Sequence, residues 1–361
     1  MQAVILVGGE GTRLLPLTGN KPKALVPVLN KPFLEYVIDH LHRHRVDDII
    51  LAIGHLAEPI KECLGDGHRF GVRLRYVTED TPLGTAGAIK NTAAFLKGTF
   101  LVLNGDIFTD LDVTDMIAFH HKQKAEATIA LTPVDDPTSY GLIETDTGGR
   151  ITRFLEKPAR DEVTTNRINA GTYVLEPGVL NQIPPQTNVS IERQVFPRLL
   201  ARGVLTCAYD SPAYWLDAGT PERYFQLHRD LLSGRYQDYL PASDREVRTG
   251  KQSYIHPTAR IEGPAIIGDG CTIARHVKLT GPVVIGDGST TQEGCIIENA
   301  IVWRNVHLEA GSRLQNSILA DNCRLKEGSI CDGSVLGDSV TVVSGGRLKA
   351  GSRIQPGTTV G

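Results

Sequence analysis

Apolar and polar positions follow two different patterns along the chain. Up to about residue 240, short aliphatic and β-branched runs alternate with stretches of helical periodicity. Runs 3–7, 48–53, 100–103, 128–131 and 214–218 read as strands, and 32–46, 85–96, 113–124 and 221–232 read as helices. In the first of these helices Leu34, Val37, Ile38 and Leu41 fall on one face. This alternation predicts an α/β domain, a mostly parallel sheet with helices on both faces. The stretch 233–253 is polar and aperiodic. We place a first domain at 1–235, a linker at 236–251 and a second domain at 252–361.

The second domain has a period of six. Ile255, Ile261, Ile267, Ile273, Leu279, Ile285, Thr291 and Ile297 recur at that spacing. Single-residue skips reset it to Val302, Leu308 and Leu314, then to Leu319 and Leu325, then to Ile330, Leu336, Val342, Leu348, Ile354 and Val360. A six-residue unit is one short strand plus a tight corner. Three units make a triangular coil, and coils stack at strand spacing, roughly 4.8 Å. Gly-Asp pairs follow the aliphatic slot at Ile267, Ile285 and Leu336, where a corner favours glycine. The region resembles the hexapeptide-repeat left-handed parallel β-helix, and its handedness is implied by that resemblance.

Composition narrows the function classes. The 361 residues are 41% hydrophobic and 22% charged, with 38 basic and 41 acidic side chains and a net charge of −3. That excludes a disordered chain and gives no basic excess for nucleic acid. No apolar run approaches the roughly 20 residues of a membrane span, and no secretory leader is visible. Cys63, Cys207, Cys271, Cys295, Cys323 and Cys331 are scattered without a CxxC pair. They read as reduced, packed thiols in a cytoplasmic protein, with no disulfide or zinc framework. His120 and His121 are adjacent in a predicted helix and read as surface residues.

The strand at 3–7 runs into Gly8-Gly9-Glu10-Gly11-Thr12-Arg13. A dinucleotide fingerprint needs glycine where Leu14 stands, and the Gly-Lys-Ser/Thr of a Walker loop is absent. Glycines that let backbone N–H groups approach phosphate, followed by Arg13 and Lys23, suit a triphosphate. The run from Leu6 through Gly8, Gly9, Gly11, Thr12 and Arg13 to Thr18, then Pro22-Lys23, resembles the signature of sugar-1-phosphate nucleotidylyltransferases. Further matches follow in family order. They are Pro82-Leu83-Gly84-Thr85-Ala86-Gly87, Leu103-Asn104-Gly105-Asp106, Tyr140-Gly141, Phe154-Leu155-Glu156-Lys157-Pro158, Ile168-Asn169-Ala170-Gly171, Ser190-Ile191-Glu192 and Trp215-Leu216-Asp217-Ala218-Gly219. With the hexapeptide tail, the layout is similar to that of GDP-mannose pyrophosphorylases. The resemblance implies a Rossmann-like nucleotidyltransferase domain that joins a nucleoside triphosphate to a sugar 1-phosphate and releases pyrophosphate.

In that reaction the nucleophile is a phosphate oxygen already largely ionised at neutral pH, its second pKa being near 6. The difficulty is bringing two anions together, so cations, Mg²⁺ and its carboxylates are expected rather than a Ser-His-Asp triad. Asp106 and Asp217 each end a strand and fit the Mg²⁺ role. By resemblance, Arg13 and Lys23 hold the triphosphate and Lys157 the sugar phosphate. Glu156 and Asn169 hydrogen-bond sugar hydroxyls, and Gly141 and Gly171 let the ring approach. Leu6, Gly8, Gly9, Gly11, Thr12, Glu79, Pro82, Gly84, Thr85 and Asp106 complete the expected nucleotide site.

Base choice turns on Glu79. Family members using UTP or dTTP commonly carry Gln three residues before the proline that is Pro82 here. A carboxylate instead accepts from both N1–H and the 2-amino group of guanine. Glu79, and Ala24 where thymidylyl members often show Gln, favour GTP; mannose follows by family association. Three other readings remain: a UTP- or dTTP-dependent glucose-1-phosphate enzyme, a non-catalytic regulatory subunit binding nucleotide sugar, and an added acyltransferase using His256, His276 or His307. Self-association through the β-helix, whose end coils would otherwise present sheet edges, is also expected.

Overall fold

The computed structural model describes residues 1–54, 56–234 and 246–361; residues 236–245 of the expected linker lie outside them. In chain order the first elements are β1 (Gln2–Val7), β2 (Pro27–Val28), β3 (Lys31–Pro32), α1 (Phe33–Arg43), β4 (Asp48–Ile53), α2 (Ala57–Leu64) and β5 (Arg73–Thr78). Next come α3 (Gly84–Asn91), β6 (Phe100–Asn104), β7 (Ile107–Thr109), α4 (Val113–Gln123) and β8 (Ala127–Pro133). They are followed by β9 (Gly141–Thr145), β10 (Ile151–Glu156), β11 (Arg167–Leu175), α5 (Phe196–Ala201), β12 (Thr206–Asp210), β13 (Trp215–Asp217), α6 (Pro221–Leu232) and β14 (Val247–Thr249). The chain divides into two units, one holding Met1–Gly9 and Leu34–Asp217, the other Glu10–Phe33 and Ala218–Gly361. Among the described residues no helix is long and apolar enough to cross a membrane.

The first unit is a Rossmann-like α/β domain. Its main sheet runs β10-β9-β11-β6-β1-β4-β5, with β8 beside β11 and β12 beside β8. β6, β1, β4 and β5 are mutually parallel, whereas β11 runs antiparallel to β6, β8 and β9. The aliphatic runs of β1 and β4 are covered on both faces, as parallel strands between helices require. The predicted stripe of α1 is buried. The helix ends at Arg43, ahead of the expected 46, and Arg45 takes a left-handed φ of 59°. In α4, Asp112 caps the N-terminus by accepting the Asp115 N–H at 2.9 Å, and Lys124 closes it with a φ of 53°. His120 corrects the expectation of a surface residue. It lies on the inner stripe with Val113 and Met116, 1% exposed, its Nδ1 2.8 Å from Thr128 Oγ1 and Nε2 3.2 Å from Glu176.

In the second unit the repeats form a parallel β-helix of three columns. Ile267, Ile285, Val302, Leu319, Leu336 and Ile354 stack on one side. Ile273, Thr291, Leu308, Leu325, Val342 and Val360 stack on the next. Leu279, Ile297, Leu314, Cys331 and Leu348 form the third. The interior slot assigned to Ile330 therefore belongs to Cys331, which is fully buried, while Ile330 aligns with Arg313 and Arg347. The reason is geometric. Each shortened side lies between the third column and the first, at corners where Asn299, Asn316 and Gly333 take positive φ. A cysteine in an aliphatic slot hides that register. The stack also begins ahead of 252, because β14 pairs with 265–267 and sets Thr249 opposite Ile267.

Helix α6 packs within this unit through His228. Its Nδ1–H donates to the Tyr224 carbonyl (3.0 Å), and Nε2 accepts the Leu29 N–H (3.2 Å), which fixes a neutral tautomer. Burial pushes its pKa down to about 4. An unfolded histidine titrates near 6.5, so the unfolded state takes up the proton first as pH falls. The expected outcome is a melting temperature that drops as pH is lowered from about 6.5 to about 4. Thermal melts of His228→Gln should show that slope reduced; an unchanged slope would remove His228 as its cause.

Candidate active site

The C-terminal ends of β1, β4, β5 and β6 share one edge of the first unit's sheet. Val7 lies opposite Ile53, Ile53 opposite Thr78, and Leu6 opposite Asn104. Each of β1, β5 and β6 runs from this edge into candidate residues: Gly8 and Gly9, Glu79, and Asp106. In open α/β sheets this edge is where ligands bind. Gly105 turns tightly there, its N–H bonding the Leu6 carbonyl at 2.9 Å. A Cβ on Gly105 would sit 2.9 Å from that same oxygen.

A short antiparallel ribbon brings the backbone at the two expected metal residues together. β13 pairs with β7 so that Asp217 lies opposite Ile107, the residue after Asp106. Several contacts hold the ribbon. Thr109 Oγ1–H donates to the Tyr214 carbonyl at 2.8 Å, and the Tyr214 N–H donates to Asp110 Oδ1 at 2.6 Å. The Phe108 ring packs between Tyr36 and Tyr214, with centroids 5.6 and 6.0 Å away. Asp217 is 8% exposed and Asp106 is half-buried. Among the described residues, no group of three or more His, Cys, Asp and Glu side chains could enclose a metal. A pair of carboxylates at an open edge suits a hard cation that takes its remaining ligands from phosphate and water.

The expected sugar residues occupy neighbouring rungs of three strands. Glu156 on β10 lies opposite Gly141 on β9, and Leu142 lies opposite Ile168, bringing Gly141 to Asn169 on β11. β11 then bulges between Asn169 and Tyr173, and Gly171 takes a φ of +71°. Asn169 is partly committed: its Oδ1 accepts the Gly171 N–H at 2.9 Å and its Nδ2 donates to Tyr173 Oη at 2.8 Å. Lys157 is exposed, has a positive φ of 53°, and its N–H bonds the Tyr140 carbonyl at 2.9 Å.

The expected base loop runs from Glu79 to Thr85. Glu79 is half-buried, and burial raises its pKa above the usual range. Its Oε2 accepts the Leu83 N–H at 3.0 Å, so this oxygen also shapes the turn. Gly84 has a φ of +68°, and a Cβ there would sit 2.7 Å from the Val189 carbonyl oxygen. Pro82 is exposed, and its carbonyl accepts Asn188 Nδ2–H at 2.9 Å. The Thr85 hydroxyl is occupied, accepting the Ile191 N–H and donating to Glu192 Oε2, both at 2.8 Å.

Glu192 is the residue that residue-type reasoning passed over. It also accepts Ser190 Oγ–H (2.7 Å) and Tyr173 Oη–H (3.3 Å), and so joins the base-loop threonine to the Asn169 network. Its π-helical turn, Ile191–Val195, is a second local irregularity beside the β11 bulge. Burial, with Glu192 second, raises the pKa of Glu156. The only sequence signal for Glu192 was its place in Ser190-Ile191-Glu192.

Gly11, Thr12, Arg13 and Lys23 belong to the second unit. Gly11 (φ 65°) caps the 3-10 turn Thr12–Leu14, and Lys23 opens the 3-10 turn Lys23–Leu25. A Cβ on Gly11 would lie 3.1 Å from Lys23 Cβ, so glycine lets the two cationic turns approach. Thr18 Oγ1–H ties the loop by donating to the Gly11 carbonyl at 2.9 Å. Burial, then the charge of Arg13, lowers the pKa of Arg223 on α6. Two of the three acyltransferase candidates have local side-chain partners: His256 bonds Thr258 (2.9 Å) and His307 bonds Thr290 (2.8 Å).

Gly171 carries a sharp test of this geometry. A Cβ there would lie 2.5 Å from Ile107 Cδ1 and 2.6 Å from Asn104 Nδ2, at a φ that side chains rarely adopt. Gly171→Ala is expected to lower stability by about 1–3 kcal/mol and turnover by at least about tenfold. Denaturant unfolding and steady-state kinetics check both, and wild-type values would contradict the close packing.

Residues 2–234 match the family model described as "Nucleotidyl transferase", and residues 245–360 match "GMPPB C-terminal domain". The chain is 34% identical over 313 residues to a mannose-1-phosphate guanylyltransferase of Mycobacterium tuberculosis, covering 86% of this chain and 82% of that one. It is also 34% identical over 332 residues to a UTP–glucose-1-phosphate uridylyltransferase of Synechocystis, covering 87% and 85%. The crystal structure of HddC from Yersinia pseudotuberculosis complexed with GMP-PN superposes with a TM-score of 0.56 and 30% identity. That match covers 64% of this chain and 99% of HddC.

Proposed function

The chain belongs to the nucleotidyl transferase family and moves a nucleotidyl group to a sugar phosphate; on that premise we propose that it joins GTP to mannose 1-phosphate, giving GDP-mannose and pyrophosphate. The observation that supports the mechanism is the β7–β13 register, which pairs Asp217 with Ile107, the residue after Asp106. Asp106 and Asp217 would hold Mg²⁺. When bound, Mg²⁺ neutralises phosphate charge and helps orient the triphosphate.

The remaining work is positioning and charge compensation. Arg13 and Lys23 grip the triphosphate and stabilise charge at the α-phosphate, where the incoming oxygen attacks opposite the departing pyrophosphate. Lys157 holds the sugar phosphate. Glu156 and the free hydrogen-bonding capacity of Asn169 meet sugar hydroxyls over the Gly141 and Gly171 backbone. The nucleophile arrives ionised, so no side chain has to remove its proton.

Glu79 supports guanine, since an ionised carboxylate accepts the two donors of that base. The raised pKa of Glu79 makes this recognition weaken, as pH falls, earlier than an ordinary glutamate would. The similarity to the Synechocystis uridylyltransferase favours a second reading, UTP with glucose 1-phosphate. Pyrophosphate release with GTP, UTP, dTTP, ATP and CTP, each paired with mannose and glucose 1-phosphates, separates the two. Greatest turnover with GTP and mannose 1-phosphate is expected, and dominance of UTP with glucose 1-phosphate would reject the guanylyl assignment. Glu79→Gln should move preference from GTP toward UTP. Asp106→Asn and Asp217→Asn should each lower kcat at least about a hundredfold, and chelation of divalent cations should abolish turnover.

A further inference from the structure

Residues 19–30, which include Lys23 and follow Arg13, are fastened along one corner of the β-helix. Lys21 Nζ pairs with Asp321 Oδ2 at 2.7 Å, both side chains 18% exposed, and stands 5.2 Å from the centroid of the Trp303 ring. Asn30 Nδ2–H donates to the Ile285 carbonyl at 2.8 Å. A Cβ on Gly19 would sit 2.7 Å from Pro356 Cγ. Ile285, Trp303, Asp321 and Pro356 lie on different coils, each at or just after the Ile285–Val302–Leu319–Ile354 column. The segment therefore climbs the prism along one edge.

A buried relay completes the attachment. Trp303 is 2% exposed and Tyr224 1% exposed. The Trp303 Nε1–H donates to Tyr224 Oη at 3.0 Å, and Tyr224 Oη–H donates to the Pro27 carbonyl. Buried polar groups tied in this way are costly to leave unpaired, which makes the connection directional as well as apolar. The countercharge at Asp321 is also specific. Asp321 Oδ1 accepts the Arg304 N–H (3.0 Å), and its own N–H donates to Asp338 Oδ1 (3.1 Å). Two acids thus stack at this corner, and Lys21 is the cation that meets them.

We propose that Lys21, Asp321, Trp303 and Tyr224 are positioning residues for nucleotidyl transfer, through which the β-helix holds the Arg13–Lys23 segment in its triphosphate-binding geometry. This rests on the assignment of Arg13 and Lys23 to the triphosphate. The β-helix then acts in the reaction cycle as a rigid anvil beneath a catalytic loop. Its effect falls on the nucleoside triphosphate, because the residues assigned to the sugar phosphate all belong to the first unit.

The test uses the full chain, with the triphosphate and sugar 1-phosphate that give the highest turnover. Lys21→Met and Asp321→Asn remove the charge pair, and the asparagine keeps an acceptor for the Arg304 N–H. Tyr224→Phe removes only the hydroxyl of the relay. Each is expected to raise KM for the triphosphate about tenfold and leave KM for the sugar 1-phosphate unchanged, since small displacements of catalytic groups cost that much or more. Lys21→Arg, which retains both the ion pair and the ring contact, should restore wild-type constants. Hydrogen exchange should quicken over residues 10–33 and stay unchanged over β1 and β4. If Arg13→Ala and Lys23→Ala raise the triphosphate KM but the Lys21, Asp321 and Tyr224 variants do not, the positioning role is rejected and the assignment of the cations stands. If Arg13→Ala and Lys23→Ala leave it unchanged, the assignment fails and the proposal with it.

Discussion

The pairing of β7 with β13 is the constraint on which the candidate site depends. Two strand-end aspartates far apart in the chain gain nothing from proximity alone. The three-residue ribbon brings the Asp106 turn and Asp217 together regardless, because its backbone hydrogen bonds and the Tyr36–Phe108–Tyr214 packing supply the stabilisation.

Two irregularities do for the expected sugar residues what the ribbon does for the two aspartates. The β11 bulge at Gly171 and the π-helical turn at Glu192 interrupt regular structure where Asn169, Tyr173 and Thr85 exchange hydrogen bonds. Regular strands would send alternate side chains to opposite faces. The bulge changes that alternation, and Glu192 locks the result by accepting from three hydroxyls. Gly171 is confined to glycine by its φ of +71° and neighbours under 3 Å from an added Cβ, and a Cβ on Gly141 would push on the Phe154 ring and the Glu156 carboxylate. The site is therefore shaped by exclusion as much as by attraction.

The chain's second unit joins a loop near the N-terminus to a C-terminal prism. A β-helix is stiff because each aliphatic slot is packed above and below by another, and every strand is laddered to its neighbours. A flexible loop ordered against such a surface loses its conformational freedom during folding rather than during substrate binding. That is the physical sense in which a domain carrying none of the proposed reacting groups contributes to their geometry.

Much of this architecture was legible in the sequence because it depends on periodicity and on local chemistry. The helical stripe of α1, α6 from Pro221 to Leu232 and nearly every slot of the β-helix follow from spacing alone. The glycine loop with Arg13 and Lys23 suited phosphate by residue type, and the family motifs, not residue type, singled out the strand-end aspartates. What spacing could not show was set by contacts between distant segments. His120 looked like a surface residue until the sheet covered its face. The slot at Cys331 was masked by a coil shortened at Gly333, and Thr249 filled a column without an aliphatic side chain. The Asp106–Asp217 register, the role of Glu192 and the attachment of Lys21 to Asp321 join residues whose separation leaves no periodic trace. The sequence by itself determined the two architectures and the class of chemistry, because these rest on short-range pattern and side-chain type. Only the tertiary structure decided which charges meet and what holds them there, because that depends on strand register and on burial.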